Sequence, residues 1–159
     1  MTEMREAVAP KGRLFLCFER DGKPLRKEAI DNLIVTGGRN ALANLLGNNG
    51  TGKHITQVAI GEGSSPASAA DTALTNSASV NVTETRIGSN LEAEDGTTFS
   101  DARIVQFHFV IGKTVGNGLD VQEYGLLCAD GTLFSRIVRD AAFTKTDIDS
   151  IRGYWQIQF

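Results

Sequence analysis

The alternation of apolar and polar residues predicts a chain made mostly of β-strands. The clearest strand is at 101–112, where apolar side chains from Val105 to Ile111 occupy every second position and so share one face. A nearly continuous apolar run at 12–19 is typical of a strand that is covered on both faces. Further strands are predicted at 25–35, 54–60, 80–85, 121–129, 133–139 and 151–159.

One short helix is predicted at 37–46, where four apolar residues have the spacing of a single helical stripe. Thr36 offers an N-cap, and Gly47 follows the last turn, where a left-handed residue is favoured. The Asp21-Gly22 and Asp130-Gly131 pairs are typical of β-hairpin turns. Together these signals predict a mainly β fold, an antiparallel β-sandwich or jelly-roll-like barrel with one short α-helix.

The domain organisation follows from composition. Residues 1–11 are polar and charged, which predicts a flexible or partner-ordered N-terminal arm, and residues 12–159 are expected to form a single β-sandwich domain. The chain has no run of about 18 apolar residues, so no membrane span or membrane partner is expected. Sixteen Lys and Arg against 19 Asp and Glu give a net charge of −3, which disfavours a nucleic-acid binder.

Candidate chemical motifs are weak throughout the chain. Residues 47–54 have phosphate-loop spacing, but His54 replaces the hydroxyl residue, and a helix precedes the loop where a strand is needed. The two histidines, His54 and His108, have no metal-ligand spacing, and the acidic residues at 92–101 are typical of a solvated loop. Cys17 and Cys128 lie in apolar runs and are expected to be buried thiols. We therefore expect no catalytic residue, no cofactor, no metal and no enzymatic activity.

Three stretches, in order, resemble a family of tailed-bacteriophage virion proteins. Residues 31–43 are similar to the strand-and-short-helix opening of that family, and residues 55–63 with 71–76 are similar to its I-T-x-[hydrophobic]-A-[hydrophobic]-G-x-G … D-T-A-L signature. Residues 122–133 and the terminal 154–159 match its closing strands. The same signature occurs in the collar-type N-terminal domains of phage tail fibres, and the resemblance covers about residues 25–159.

The residues of these motifs are expected to have structural and interaction roles. Glycine lets the backbone turn sharply after a strand, aspartate and threonine hydrogen-bond within their own loop, and a glycine inside a strand indicates a bulge or a close backbone contact. The terminal strand adds two aromatic candidates. The structural or interaction candidates are Gly61, Gly63, Asp71, Thr72, Gly125, Trp155 and Phe159.

The resemblance implies a non-enzymatic virion structural protein, made in the host cytoplasm, that works by symmetric contacts with other virion proteins. A component of the tail tip, baseplate or tail-fibre attachment is the first expectation, because the sequence ends at Phe159 with no fibre shaft after it. A capsid decoration (cement) protein that contacts the major capsid protein is the alternative. A receptor- or carbohydrate-binding module, with loops at 61–76, 88–100 and 113–119 as its edge, is a third. A homo-oligomer is expected, with a trimer favoured by the symmetry of fibres and lattices.

Overall fold

A computed structural model describes residues 10–88, 91 and 104–159. These residues are mostly in strands and include one short helix. The mainly β, antiparallel fold with one short helix is therefore confirmed. Most of the predicted arm at 1–11 and most of the predicted loop at 88–100 lie outside the described residues, although Lys11 already belongs to the first strand. The elements are β1 (Lys11–Arg20), β2 (Lys23–Ile34), α1 (Thr36–Leu46), β3 (Ile55–Gly61), β4 (Ala78–Asn81), β5 (Glu84–Ile87), β6 (Ile104–Ile111), β7 (Asp120–Cys128), β8 (Leu133–Thr144) and β9 (Asp149–Gln158).

The strands of the described residues form one antiparallel sheet in the order β4-β3-β7-β8-β2-β1-β9-β6-β5, which curls into a half-barrel. The strand predicted at 80–85 is divided between the two ends of this order. Val82 donates its N–H to the Thr56 carbonyl of β3 (2.8 Å), and Thr83 donates its N–H to the His108 carbonyl of β6 (2.8 Å). The two ends of the sheet are thus consecutive in the chain, which holds the curl together.

The first and last strands lie side by side near the middle of the sheet. Lys11 pairs with Gln158, and the ladder continues antiparallel to Arg20 and Asp149. Trp155 is fully buried and belongs to the main core cluster on the inner face. On the other face of β1, Phe15 and Cys17 are also buried, so the prediction of a strand covered on both faces is confirmed.

The helix has the predicted extent to within one residue, but its two caps differ from the prediction. Val35 is the N-cap and makes no side-chain cap bond, so the predicted cap at Thr36 is wrong. The Thr-Gly-Gly sequence instead allows close packing, because a Cβ on Gly37 would lie 2.9 Å from the Leu133 carbonyl oxygen of β8. Gly47 has a φ of −81°, so the predicted left-handed end is also wrong, and Asn48 takes the positive φ (56°). In the described part of the chain, no helix is long and apolar enough to cross a membrane.

The joint between β2 and β8 is the weakest connection in the sheet. β2 pairs with β1 along most of its length but with β8 only at Leu33 and Ile34. Beyond this joint, β8 leaves the regular ladder, because Val121 of β7 pairs with Phe143 whereas Glu123 pairs with Val138. Most of one long edge of β2 is therefore not paired to a strand within the described residues.

Candidate functional site

A buried carboxylate, Glu123 of β7, organises the loop that carries the signature residues. The Glu123 side chain is fully buried, and its Oε1 accepts hydrogen bonds from the backbone N–H groups of Gly63 (2.9 Å) and Thr75 (2.6 Å). Its Oε2 accepts a hydrogen bond from Arg136 Nε of β8 (2.7 Å). Both ends of the loop at 62–77 are consequently fixed to a single side chain of the sheet.

Arg136 extends this contact to the middle of the loop. Its Nη1 donates to Asp71 Oδ2 (2.8 Å), which also accepts the N–H of Ser68 (2.8 Å). The Ser68 N–H, and after it the Arg136 guanidinium, hold the pKa of the Asp71 carboxyl below its ordinary value. We call Glu123, Arg136 and Asp71 the ionic network. It satisfies a buried charge with hydrogen bonds from several directions, as burial of a carboxylate requires.

The glycines of the signature are explained by this carboxylate. A Cβ on Gly61 would lie 2.6 Å from Glu123 Oε1, and a Cβ on Gly63 would lie 2.5 Å from Oε2. Neither glycine has a positive φ, so close approach, and not the expected sharp turn, is the reason for glycine here. A Cβ on Gly125 would lie 3.0 Å from side-chain atoms of Leu74 and of Leu133, so the close neighbours of this glycine are side chains and not the backbone contact that the sequence predicted.

Of the other candidates, Asp71 belongs to the ionic network and the rest lie elsewhere. Asp71 hydrogen-bonds within its own loop as expected, whereas Thr72 is exposed. Trp155 is a core residue, and its Nε1 has no hydrogen-bond partner in the structure. Phe159 lies at the surface, 43% exposed, and lines a groove.

This apolar groove opens at one end of the half-barrel and has a volume of about 370 Å³. Its floor consists of residues that belong to the core or pack against it, and its walls come from α1, the start of β3, β5 and the end of β9. The lining residues are Leu42, Leu45, Lys53, His54, Ile55, Thr85, Ile87, Val105, Phe107, Phe134, Ile157 and Phe159. The groove is therefore lined almost entirely by apolar side-chain atoms.

Large apolar side chains are exposed along the rim of the apolar groove. Ile87 is 76% exposed and Leu45 is 42% exposed, and Leu46, next to Leu45, is 90% exposed. Exposed apolar residues that are grouped around a cleft are typical of a protein contact or a ligand site.

The phosphate-loop-like segment forms one side of this groove. It connects α1 to β3, so it follows the C-terminus of a helix, whereas a phosphate loop precedes a helix N-terminus. Lys53 Nζ donates to Asp130 Oδ2 (2.6 Å) and Thr132 Oγ1 (3.2 Å). The Lys53 ammonium, followed by Thr132, lowers the pKa of Asp130 well below its ordinary value. Lys53 thus joins this loop to the β7–β8 turn.

The remaining titratable candidates are held inside the fold. His108 is half-buried, its Nε2 lies 3.2 Å from Gln106 Oε1, and burial lowers its pKa. Cys17 and Cys128 are free and buried, as predicted, and burial raises the pKa of Cys128 to about 11. Within residues 10–88, 91 and 104–159, no three His, Cys, Asp or Glu side chains group as metal ligands would.

Sequence reasoning missed Glu123, Arg136 and the apolar groove. The available signal for the ion pair was a single carboxylate in the apolar strand at 121–129 and two guanidinium groups in the next strand at 133–139, across the Asp130-Gly131 turn. The groove had no such signal, since its walls come from segments far apart in the chain.

Comparison with protein-family models, with curated proteins and with solved structures finds no match to this chain.

Proposed function

We propose that this chain is a non-enzymatic structural protein of a tailed-bacteriophage particle, located at the tail tip, the baseplate or the attachment of the tail fibres. Its work is to contact other virion proteins. The proposal starts from the signature at 55–63 and 71–76, in which Asp71 belongs to the ionic network and the N–H groups of Gly63 and Thr75 bind the Glu123 carboxylate. Residues that shape a loop have a role in the fold, which is compatible with a structural protein.

The observation that carries the proposal is the apolar groove. A contact surface needs desolvated apolar area at its centre, and the groove offers it with Ile87, Leu45 and Phe159 at the rim. Lys53, which is already paired with Asp130, and His54 add a polar border at one side. We propose that a side chain of a neighbouring virion protein occupies this groove.

Mass spectrometry of purified phage particles tests the location. The chain is expected in a fixed copy number, and it should stay with the tails when heads and tails are separated. Recovery with the heads would replace the tail assignment with the capsid-decoration alternative. Absence from the particles would refute the proposal.

A pair of matched variants tests the groove. Ile87→Asp places a charge on its rim and should abolish incorporation into particles, because the desolvation of a carboxylate opposes burial in a contact. Val110→Asp is the control, since Val110 is another exposed apolar strand residue (49% exposed, against 76% for Ile87) but lies outside the groove. Both variants should melt near the temperature of the unchanged protein. Normal incorporation of Ile87→Asp would exclude the groove as the contact.

A further inference from the structure

β5 is the last strand of the sheet and is paired on one side only. Gly88, which follows it, donates its N–H to the Ile104 carbonyl of β6 (3.3 Å). Since backbone groups alternate in direction along a strand, Thr85 and Ile87 direct their N–H and C=O groups to the opposite edge. Within the described residues no strand pairs with β5 on that side. We call this side the free edge of β5.

The free edge of β5 opens directly onto the apolar groove. The side chains of Thr85 and Ile87 line the groove together with Phe107 and Val105, the residues that face them on β6. The opposite wall comes from α1 and the start of β3, and β3 pairs with β4 and β7 and not with β5. All four residues of β5 are exposed. The free edge and the groove are therefore parts of one surface, which no described strand covers.

The two faces of β5 define the pattern of a segment that fits beside it. Successive side chains of a strand point to opposite faces, so a strand added to the free edge places every second side chain over the groove. The groove is lined almost entirely by apolar side chains. On the other face the added strand lies beside Glu84 and Arg86, which are exposed and paired with each other (2.9 Å). The fitting segment thus has apolar residues at alternate positions and polar residues between them.

We propose that the neighbouring virion protein binds this chain by adding an extended strand to the free edge of β5, with its apolar side chains in the groove. This inference rests on the proposed function and states what form the partner takes. Backbone hydrogen bonds with Thr85 and Ile87 supply affinity and register, and the groove selects the apolar side chains. A strand fits this surface better than a helix, because the backbone groups of a helix are already bonded within the helix.

A proline in β5 tests the backbone contact. Thr85→Pro removes an N–H that faces away from β6, and an edge strand tolerates proline at such a position. The variant should melt near the temperature of the unchanged protein, but its incorporation into particles should fall by about tenfold or more, since a carbonyl of the partner loses its donor. Thr85→Val keeps the N–H and the branched shape, so it is the matched control and should be incorporated normally.

The proline variant and Ile87→Asp together separate this inference from the proposed function. Loss of incorporation for Ile87→Asp with normal incorporation of Thr85→Pro would keep the groove as the contact and overturn the addition of a strand. Normal incorporation of both variants would exclude the groove as well. Absence of the unchanged protein from the particles would refute both proposals.

Amide hydrogen exchange tests the same contact without a substitution. In the free protein the amides of Thr85 and Ile87 should exchange rapidly, and in purified particles their exchange should be slower by about tenfold or more. The Gly88 amide is bonded to Ile104 in both states and is the internal control. Slow exchange of Thr85 and Ile87 already in the free protein would show that the chain itself covers this edge. Either that result or rapid exchange in the particles would refute the addition of a strand.

Discussion

Replacement of Arg136 by methionine is expected to destabilise the protein by about 3–5 kcal/mol, the usual cost of leaving a buried charge without its partner. Arg136 lies 2.7 Å from Glu123, whose side chain is 0% exposed, and 2.8 Å from Asp71, whose side chain is 24% exposed. The buried pair dominates this cost, since water can replace the lost partner of Asp71 but not that of Glu123. Methionine keeps most of the apolar volume, so a cavity contributes little.

Urea unfolding followed by tryptophan fluorescence measures the loss. Trp155 is the one tryptophan of the chain and is fully buried, so its emission reports the core. The slope of the unfolding free energy against urea concentration should be the same in the variant and in the unchanged protein, which would show that only the stability differs. Arg152→Met is the control, because Arg152 is 57% exposed and its ion pair with Glu19 should contribute under about 1 kcal/mol.

A double-mutant cycle separates the ion pair from general damage. Glu123→Gln keeps an acceptor for the N–H groups of Gly63 and Thr75 while it removes the charge. In combination with Arg136→Met it should cost less than the two single changes together, by at least about 1 kcal/mol. Additive losses, or a loss below about 1 kcal/mol for Arg136→Met alone, would refute the reasoning.

Three further predictions concern packing, acid stability and thiol reactivity. Gly63→Ala should lower stability by about 1–3 kcal/mol in calorimetry, because its Cβ meets Glu123, whereas Gly112→Ala, with no atom within 4 Å, should be neutral; equal effects would contradict the packing argument. Burial alone would raise the pKa of Asp149, but hydrogen bonds from Arg20 and Thr146 outweigh it and bring the pKa to about 2. Its stabilisation is therefore present above the unfolded pKa of about 4 and disappears as the pH falls through 2. Asp149→Asn should lower the free energy of unfolding in urea by on the order of 1–2 kcal/mol at pH 7 and by almost nothing at pH 2. An equal loss at both pH values would contradict this reasoning. Cys128, with its pKa raised to about 11, should react with a thiol reagent only as fast as the protein opens, and reaction at the rate of a free thiol would disprove its burial in solution.

The strands could be predicted from the sequence because side-chain alternation is a local property. The range predicted at 121–129 differs from β7, Asp120–Cys128, by one residue at each end. The division of the strand at 80–85 could not be predicted, because it depends on two sheet edges that approach each other only after folding. The end of β8 was missed for a related reason, since Asp140, Ala141 and Ala142 are exposed and have little β preference.

The candidate site was predictable only in part. Gly61, Gly63 and Asp71 were found from a resemblance, but Glu123, which approaches both glycines, is 60 residues from Gly63 in the chain, and Asp71 is joined to it only through Arg136. A sequence pattern shows that a glycine is present and does not show which atom approaches it.

The neighbouring positions of β1 and β9 have a mechanical consequence. Lys11 and Gln158 face each other at the end of one antiparallel ladder, so a pulling force applied to these two residues separates the strands like a zipper. The rungs of the ladder then carry the load one after another, and the force needed to start the rupture is small. A force that acts through the side of the molecule would instead load many rungs at once. The resistance of this protein to unfolding by force therefore depends on the direction in which the force is applied.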